Sequence, residues 1–238
     1  MQAAPSKTGL TTIGVDADDT LWQSEHFFKL TEAHFVKLLS SYAGEDHLKE
    51  RLLEAEKKNL QFYGFGIKGF TLSMIETAIE VTNGKVPASL VQEILTVGRE
   101  MLAHPILPLP QVHETLEILS QAYKLVLITK GDLFDQERKL AQSGLGDFFH
   151  GIEIVSDKTT ETYSRIFERH GHGANQALMI GNSLKSDILP AIAAGSWGVF
   201  IPHALTWGYE HAEAPSDHPR FKQLDSFGEV AEFVAKLE

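Results

Sequence analysis

Two rhythms of apolar and polar positions run along this chain. Thr11-Thr-Ile-Gly-Val15 is a short, β-branched, apolar run that leads into a cluster of acids. That is the pattern of a buried parallel strand delivering polar groups at its C-terminal end. Leu125–Ile128, Ile152–Val155, Ala177–Ile180 and Trp197–Ile201 repeat it. Helical periodicity fills most of the gaps: Leu133–Ser143 runs up to Gly144, Thr160–His170 to Gly171 and Ser186–Ala194 to Gly195, each glycine a suitable C-cap. Strands alternating with helices predict an α/β fold, a parallel sheet wrapped by helices.

The stretch from Trp22 to Pro110 contains no convincing strand. Phe27, Phe28, Phe35, Leu38 and Leu39 form one apolar helical face, and Leu90, Ile94, Val97 and Met101 form another. Pro87 sits where a first-turn proline is tolerated. Tyr63-Gly-Phe-Gly-Ile-Lys-Gly69 interrupts the helical pattern, and Pro105, Pro108 and Pro110 close the stretch as a stiff linker. A strand–helix–strand crossover does not need so much chain. The expected organisation is therefore a core of residues 1–21 and 111–238, with residues 22–110 inserted as a helical lid over the site.

Composition narrows the function classes. The chain has 238 residues, 43 % apolar and 22 % charged, enough for a sizeable core. A formal charge of -11 opposes nucleic acid and anionic membranes as partners. There is no cysteine, which removes disulfides, thiolate metal sites and cysteine nucleophiles. No apolar run reaches bilayer length, and the polar first residues lack the apolar segment of a secretory signal. The expected location is cytoplasmic.

Candidate chemistry gathers just after the strands. Asp16-Ala-Asp-Asp-Thr-Leu-Trp22 follows the first. Two carboxylates two residues apart on an extended strand end point the same way, repel, and call for a hard cation such as Mg²⁺. Thr129 follows the second strand, Lys158 the third, and Asn182 and Asp187 the fourth. Ligands of open α/β sheets bind beyond such strand ends. Each residue also has a plain reading. Asp16 suits a helix N-cap, Lys158 a solvated helix entry and Thr129 an ordinary strand position. Asn182-Ser183 suits a turn feeding a helix capped by Ser186. Gly64-Phe65-Gly66 reads equally as an interhelical loop or a substrate-facing element, with Lys68 beside it. His203, Trp207, Tyr209 and His211 follow the last strand and read either as a border of the crevice or, in the favoured reading, as a solvated loop.

Together, Asp16, Asp18 and Thr20, then Thr129, then Lys158, then Gly181-Asn182 with Asp187, resemble the four ordered motifs of the haloacid dehalogenase-like (HAD) hydrolases. The likeness spans nearly the whole chain. It implies a Rossmann-like core with an inserted helical cap. It also implies a Mg²⁺-dependent phosphatase acting on a small phosphorylated metabolite through an aspartyl-phosphate intermediate. In that scheme Asp16 is the nucleophile and Asp18 the general acid and base, while Thr129 and Lys158 bind the phosphoryl oxygens. Asp16, Asp18, Asn182 and Asp187 form the implied metal set. Two positions depart from the family pattern: Asp19 replaces a usual glycine, and Asn182 an acidic metal ligand. The competing functions are a haloacid dehalogenase, which Asp18 opposes, a phosphomutase, and a non-catalytic binding protein. A dinucleotide enzyme is disfavoured because no G-x-G-x-x-G follows the first strand.

Overall fold

The computed structural model describes residues 9–205 and 207–237. Among the described residues six strands form one sheet: β1 Thr12–Val15, β2 Lys124–Lys130, β3 Gly151–Val155, β4 Ala177–Gly181, β5 Trp197–Phe200 and β6 Phe221–Gln223. Their order is β3-β2-β1-β4-β5-β6, and every pairing is parallel. The fold is α/β and Rossmann-like, as the alternation predicts. The strand β6 has three residues, two of them exposed, too short to carry a sequence signal.

Both faces of the sheet are apolar, with successive strand residues on opposite sides. Ile13, Val15, Leu125, Leu127, Leu178 and Ile180 enter one core with helices α5 (Val112–Ser120) and α9 (Val230–Leu237). Val126, Ile128, Ala177 and Met179 enter another with Tyr163, Ile166 and Phe167 of α7 (Thr160–His170). On this second face β1 offers Gly14. A Cβ there would lie 2.8 Å from Ile128 Cδ1 and 2.9 Å from Met179 Sδ. The neighbouring side chains already fill the space above the central strand.

The helix expected over Ser186–Ala194 is divided. A π-helical turn, Leu184–Ile188, precedes α8, Leu189–Ala193. Ser183, not Ser186, caps it: the Ser183 hydroxyl accepts from the Ser186 N–H at 3.0 Å.

Four helices fill the long interval after β1: α1 Glu25–Leu39, α2 Glu45–Tyr63, α3 Ile67–Val81 and α4 Ala88–Ala103. They share a core of Phe35, Leu39, Leu48, Leu52, Phe70, Met74, Leu90, Ile94 and Met101. The chain divides into two compact units. The sheet unit takes residues through Gln23, Ile106–Lys130 and the chain from Glu137; the helical unit takes Ser24–Pro105 and Gly131–Gln136. Trp22 and residues 106–110 thus fall on the sheet side of the boundary expected from sequence. Trp22 is buried in the sheet unit's core, and the Leu109 N–H donates to the Leu21 carbonyl at 2.8 Å. The short segment Gly131–Gln136 joins the helical unit through contacts such as Lys68 Nζ to Asp132 Oδ1 at 2.9 Å.

Candidate active site

The site is built at the C-terminal end of β1. The Asp16 N–H donates to the Ile180 carbonyl at 2.9 Å, which carries the sheet pattern one residue past the strand. The chain then turns sharply. Thr20 and Leu21 N–H groups return to the Ala17 carbonyl, and the Asp19 N–H donates to the Trp22 carbonyl at 2.7 Å. Asp19 holds a left-handed conformation, φ 61°. A glycine adopts that conformation without cost, and aspartate tolerates it better than most residues, so the departure at Asp19 has a backbone explanation.

Asp16, Lys158 and Asp187 meet directly. Lys158 Nζ donates to Asp16 Oδ1 at 2.5 Å and to Asp187 Oδ1 at 2.6 Å, and all three side chains are buried. Asp187 Oδ2 accepts from the Ser183 N–H at 2.9 Å. Gly181 makes room for this: a Cβ there would come within 2.3 Å of Asp187 Oδ2. Lys158 leads into Thr159, whose side chain caps α7 by accepting from the Thr162 N–H at 3.2 Å. Asp16 Oδ2 accepts from the Thr20 hydroxyl at 2.9 Å.

Burial and the nearby Asp187 charge push Asp16 up to about 7, against the pull of Lys158. Burial would lower Lys158, but the charges of Asp16 and Asp187 overcome it and hold the ammonium above its ordinary range. Two carboxylates and one ammonium leave one negative charge uncompensated when Asp16 is ionised.

Asn182 bears on that imbalance. With its nitrogen forward it donates to Asp16 Oδ2 and to the Asp18 carbonyl oxygen, each at 3.2 Å. With its oxygen forward, Asn182 Oδ1 accepts from the Thr20 hydroxyl at 3.3 Å and faces two other oxygens, Asp16 Oδ2 and the Asp18 carbonyl oxygen, an arrangement that a cation would stabilise. The donor set therefore fits a hard divalent metal.

The extended-strand argument does not reach Asp18. The strand stops at Val15, and the turn sends the Asp18 carboxylate elsewhere, so its backbone carbonyl faces Asn182 instead. Asp18 Oδ1 accepts from Trp22 Nε1 at 2.8 Å and from Lys139 Nζ at 2.9 Å, while Oδ2 lies 3.1 Å from the same ammonium. Thr129 is buried near the end of β2, two residues beyond the partner of Val15, and its hydroxyl reaches the Lys130 carbonyl at 3.4 Å.

The segment after β5 is not a solvated loop. Lys130 Nζ donates to Glu210 Oε1 at 2.8 Å and to the Ser186 hydroxyl at 2.7 Å, and Glu210 Oε2 accepts from Ser183 and Ser186 at 2.5 Å each. Burial would raise Glu210, but Lys130 holds it below its ordinary range. Lys185 Nζ lies 3.4 Å from the Tyr209 ring centroid, and His203 Nε2 is 3.7 Å from Asp19 Oδ1. His211 remains exposed. Glu210 and Lys139 were missed from sequence. Glu210 sits in an irregular segment that gives no register. Lys139 had a usable signal: the buried stripe of α6 (Leu133–Ser143) reads Asp135, Gln136, Lys139, Leu140 and Ser143, polar where a packing face would be apolar.

Comparison with known proteins bears on the family. Residues 10–195 match the family model described as haloacid dehalogenase-like hydrolase. A HAD-like hydrolase structure from Xanthomonas campestris is 40 % identical, covers 96 % of this chain and 91 % of its own, and superposes with a TM-score of 0.86. A glyceraldehyde 3-phosphate phosphatase from Methanothermobacter thermautotrophicus is 27 % identical over 91 % of this chain and 93 % of its own length. A magnesium-bound HAD hydrolase from Bacillus subtilis shares the fold at 18 % identity, with a TM-score of 0.65 over 94 % of this chain and 98 % of that one. With the matched region covering the strand ends that hold Asp16, Lys158 and Asp187, the chain is an enzyme of the haloacid dehalogenase-like hydrolase family.

Proposed function

We propose that this hydrolase is a Mg²⁺-dependent phosphatase that cleaves a small phosphate monoester through an aspartyl-phosphate on Asp16. The observation that carries this reading is the buried Asp16 carboxylate, held on one oxygen by Lys158 and bordered on the other by Thr20 and Asn182. An Asp16 oxygen attacks phosphorus, and the bond from phosphorus to the substrate's leaving oxygen breaks. Asp18 supplies a proton to that oxygen, then takes one from the water that cleaves the acyl phosphate and frees inorganic phosphate. Lys158 and Thr129 bind the phosphoryl oxygens and stabilise the charge that shifts in the transition state.

Asp16, the Asp18 carbonyl and Asn182 would hold the magnesium ion, with Asp187 behind them. The family generally works with this ion. When bound, it supplies positive charge against which a carboxylate and a phosphate dianion can approach. Asp187 keeps Lys158 in place. The phosphatase among the relatives makes a three-carbon sugar phosphate the first substrate to test, and residues 22–110, as a cap, would set the choice. Lys68, engaged with Asp132, is the cap lysine to vary first.

The test is release of phosphate from a panel of monoesters, beside halide release from a 2-haloacid, each with Mg²⁺ and with chelator. Turnover of a phosphate ester that stops on chelation is expected. Halide release that persists in chelator would replace this reading with dehalogenation.

A further inference from the structure

Lys139 lies in the middle of α6, yet only 6 % of it is exposed. A lysine buried to that degree is stable only if its charge is answered. The answer here includes both oxygens of Asp18, at 2.9 and 3.1 Å. The Trp22 indole N–H shares Oδ1 at 2.8 Å, and Trp22 is itself fixed in the sheet unit's core. Two donors from different elements, both on buried side chains, therefore bear on the plane and direction of one carboxylate. That carboxylate sits on a turn already closed by the Asp19 N–H to Trp22 carbonyl hydrogen bond. Such an arrangement is more than neutralisation, because a single surface contact would leave the side chain free to rotate.

We propose that Lys139 is a positioning residue for the proton transfers made by Asp18. The inference rests on the phosphatase reading for its kinetic consequence, though not for its geometry. Proton transfer needs the donor oxygen within hydrogen-bond reach of the leaving oxygen, and a misplacement near 1 Å costs roughly 10²-fold in rate. Without the ammonium, Asp18 loses the donor that reaches both of its oxygens, and its carboxylate is held less firmly than in the wild type. Binding of the phosphoryl group by Lys158 and Thr129 is untouched, so the loss falls on kcat rather than KM. It falls most on substrates whose leaving group needs the proton.

The experiment compares Lys139→Met and Lys139→Arg with the wild type on an alkyl and an aryl phosphate, each also in an Asp18→Asn background. The methionine keeps the stem's packing and removes the charge. Lys139→Met is expected to lower kcat for the alkyl ester about 10²-fold, with the aryl ester much less affected and KM within about twofold. Lys139→Arg should recover most of the alkyl rate. In the Asp18→Asn background the methionine should have little further effect, since residues acting through one another are not additive. Equal losses on both esters, or full additivity with Asp18→Asn, would overturn the proposal. A crystal structure of Lys139→Met decides the geometric claim even if no phosphate ester is turned over. An Asp18 carboxylate rotated away from its wild-type position supports it, and one left unmoved overturns it.

Discussion

Asp16 carries a conflict between function and stability that pH should expose. Its carboxyl is pushed up from an ordinary 3.8 to about 7 by burial and by Asp187. A carboxyl raised on folding contributes stability that is full below the unfolded value and is lost as pH rises through the folded one. The window is therefore about pH 4 to 7. In chelator, wild-type melting temperature should fall from pH 5 to 8 more steeply than that of Asp16→Asn. The variant should be inactive yet more stable at pH 8, by about 1–2 kcal/mol. Lys158→Met should do the reverse. Its removal leaves Asp16 and Asp187 buried together without their shared cation, a loss of about 3–5 kcal/mol at pH 8. The loss should shrink at pH 5, where Asp16 takes up a proton. Thermal melts of the three proteins across that range check both signs. At this scale Asp16, Lys158 and Asp187 were legible as candidates, because each lies within a few residues of the end of a legible strand. The direction of the Asp18 carboxylate was not legible, because it depends on a turn three residues long and on a lysine 121 positions away.

Elements decide how firmly those residues are held. Thr159 closes the first turn of α7 directly after Lys158, so the helix cap and the lysine proposed to bind the phosphoryl group share one backbone segment. Thr159→Ala should cost about 1 kcal/mol by denaturant midpoint and also lower kcat, whereas Thr159→Ser should preserve both. A loss of stability with unchanged kcat would show that the cap serves the helix alone. The π-helical turn Leu184–Ile188 places Asp187 beneath Gly181. Sequence periodicity suggested a plain helix there, since a single widened turn shifts the apolar register too little to be noticed. The helix α6 was legible in extent but not in facing. Its exposed Leu133 and Phe134 and its buried Asp135, Gln136 and Lys139 reverse the usual assignment.

For the whole molecule, the net charge of -11 and the acid-rich site both favour a bound cation. Magnesium at a hundred times its dissociation constant should stabilise the wild type by about 2.7 kcal/mol. Asn182→Asp should enlarge the magnesium shift while lowering metal-free stability, because it adds a carboxylate beside Asp16. Melts with and without magnesium test this. No change on adding the ion to either protein would remove the metal from the scheme. The sheet and the run of inserted helices were readable from hydrophobic rhythm. The membership of Gly131–Gln136 in the helical unit was not, because that segment is joined to it by tertiary contacts such as Lys68 with Asp132 rather than by any periodicity of its own.

The central position of β1 has a consequence for the order in which the molecule comes into being. Thr12 pairs with Lys124 on one side and Ala177 on the other, and the helical unit lies between the first and second of these in the chain. During synthesis the strand that will become the middle of the sheet waits, without neighbours, while the 108 residues between β1 and β2 are made. The helices α1 to α4 depend mainly on near-neighbour contacts and can consolidate during that wait. Hydrogen exchange during refolding should accordingly protect amides of α2 and α3 before those of β1. The nascent chain then passes through a stage in which its inserted part is structured and Asp16 still lies on an unpaired ribbon. Only the arrival of Ala177–Gly181 gives Asp16 the Ile180 carbonyl that anchors its backbone, so the Asp16 backbone is anchored only once a strand more than 160 residues further along the chain is in place.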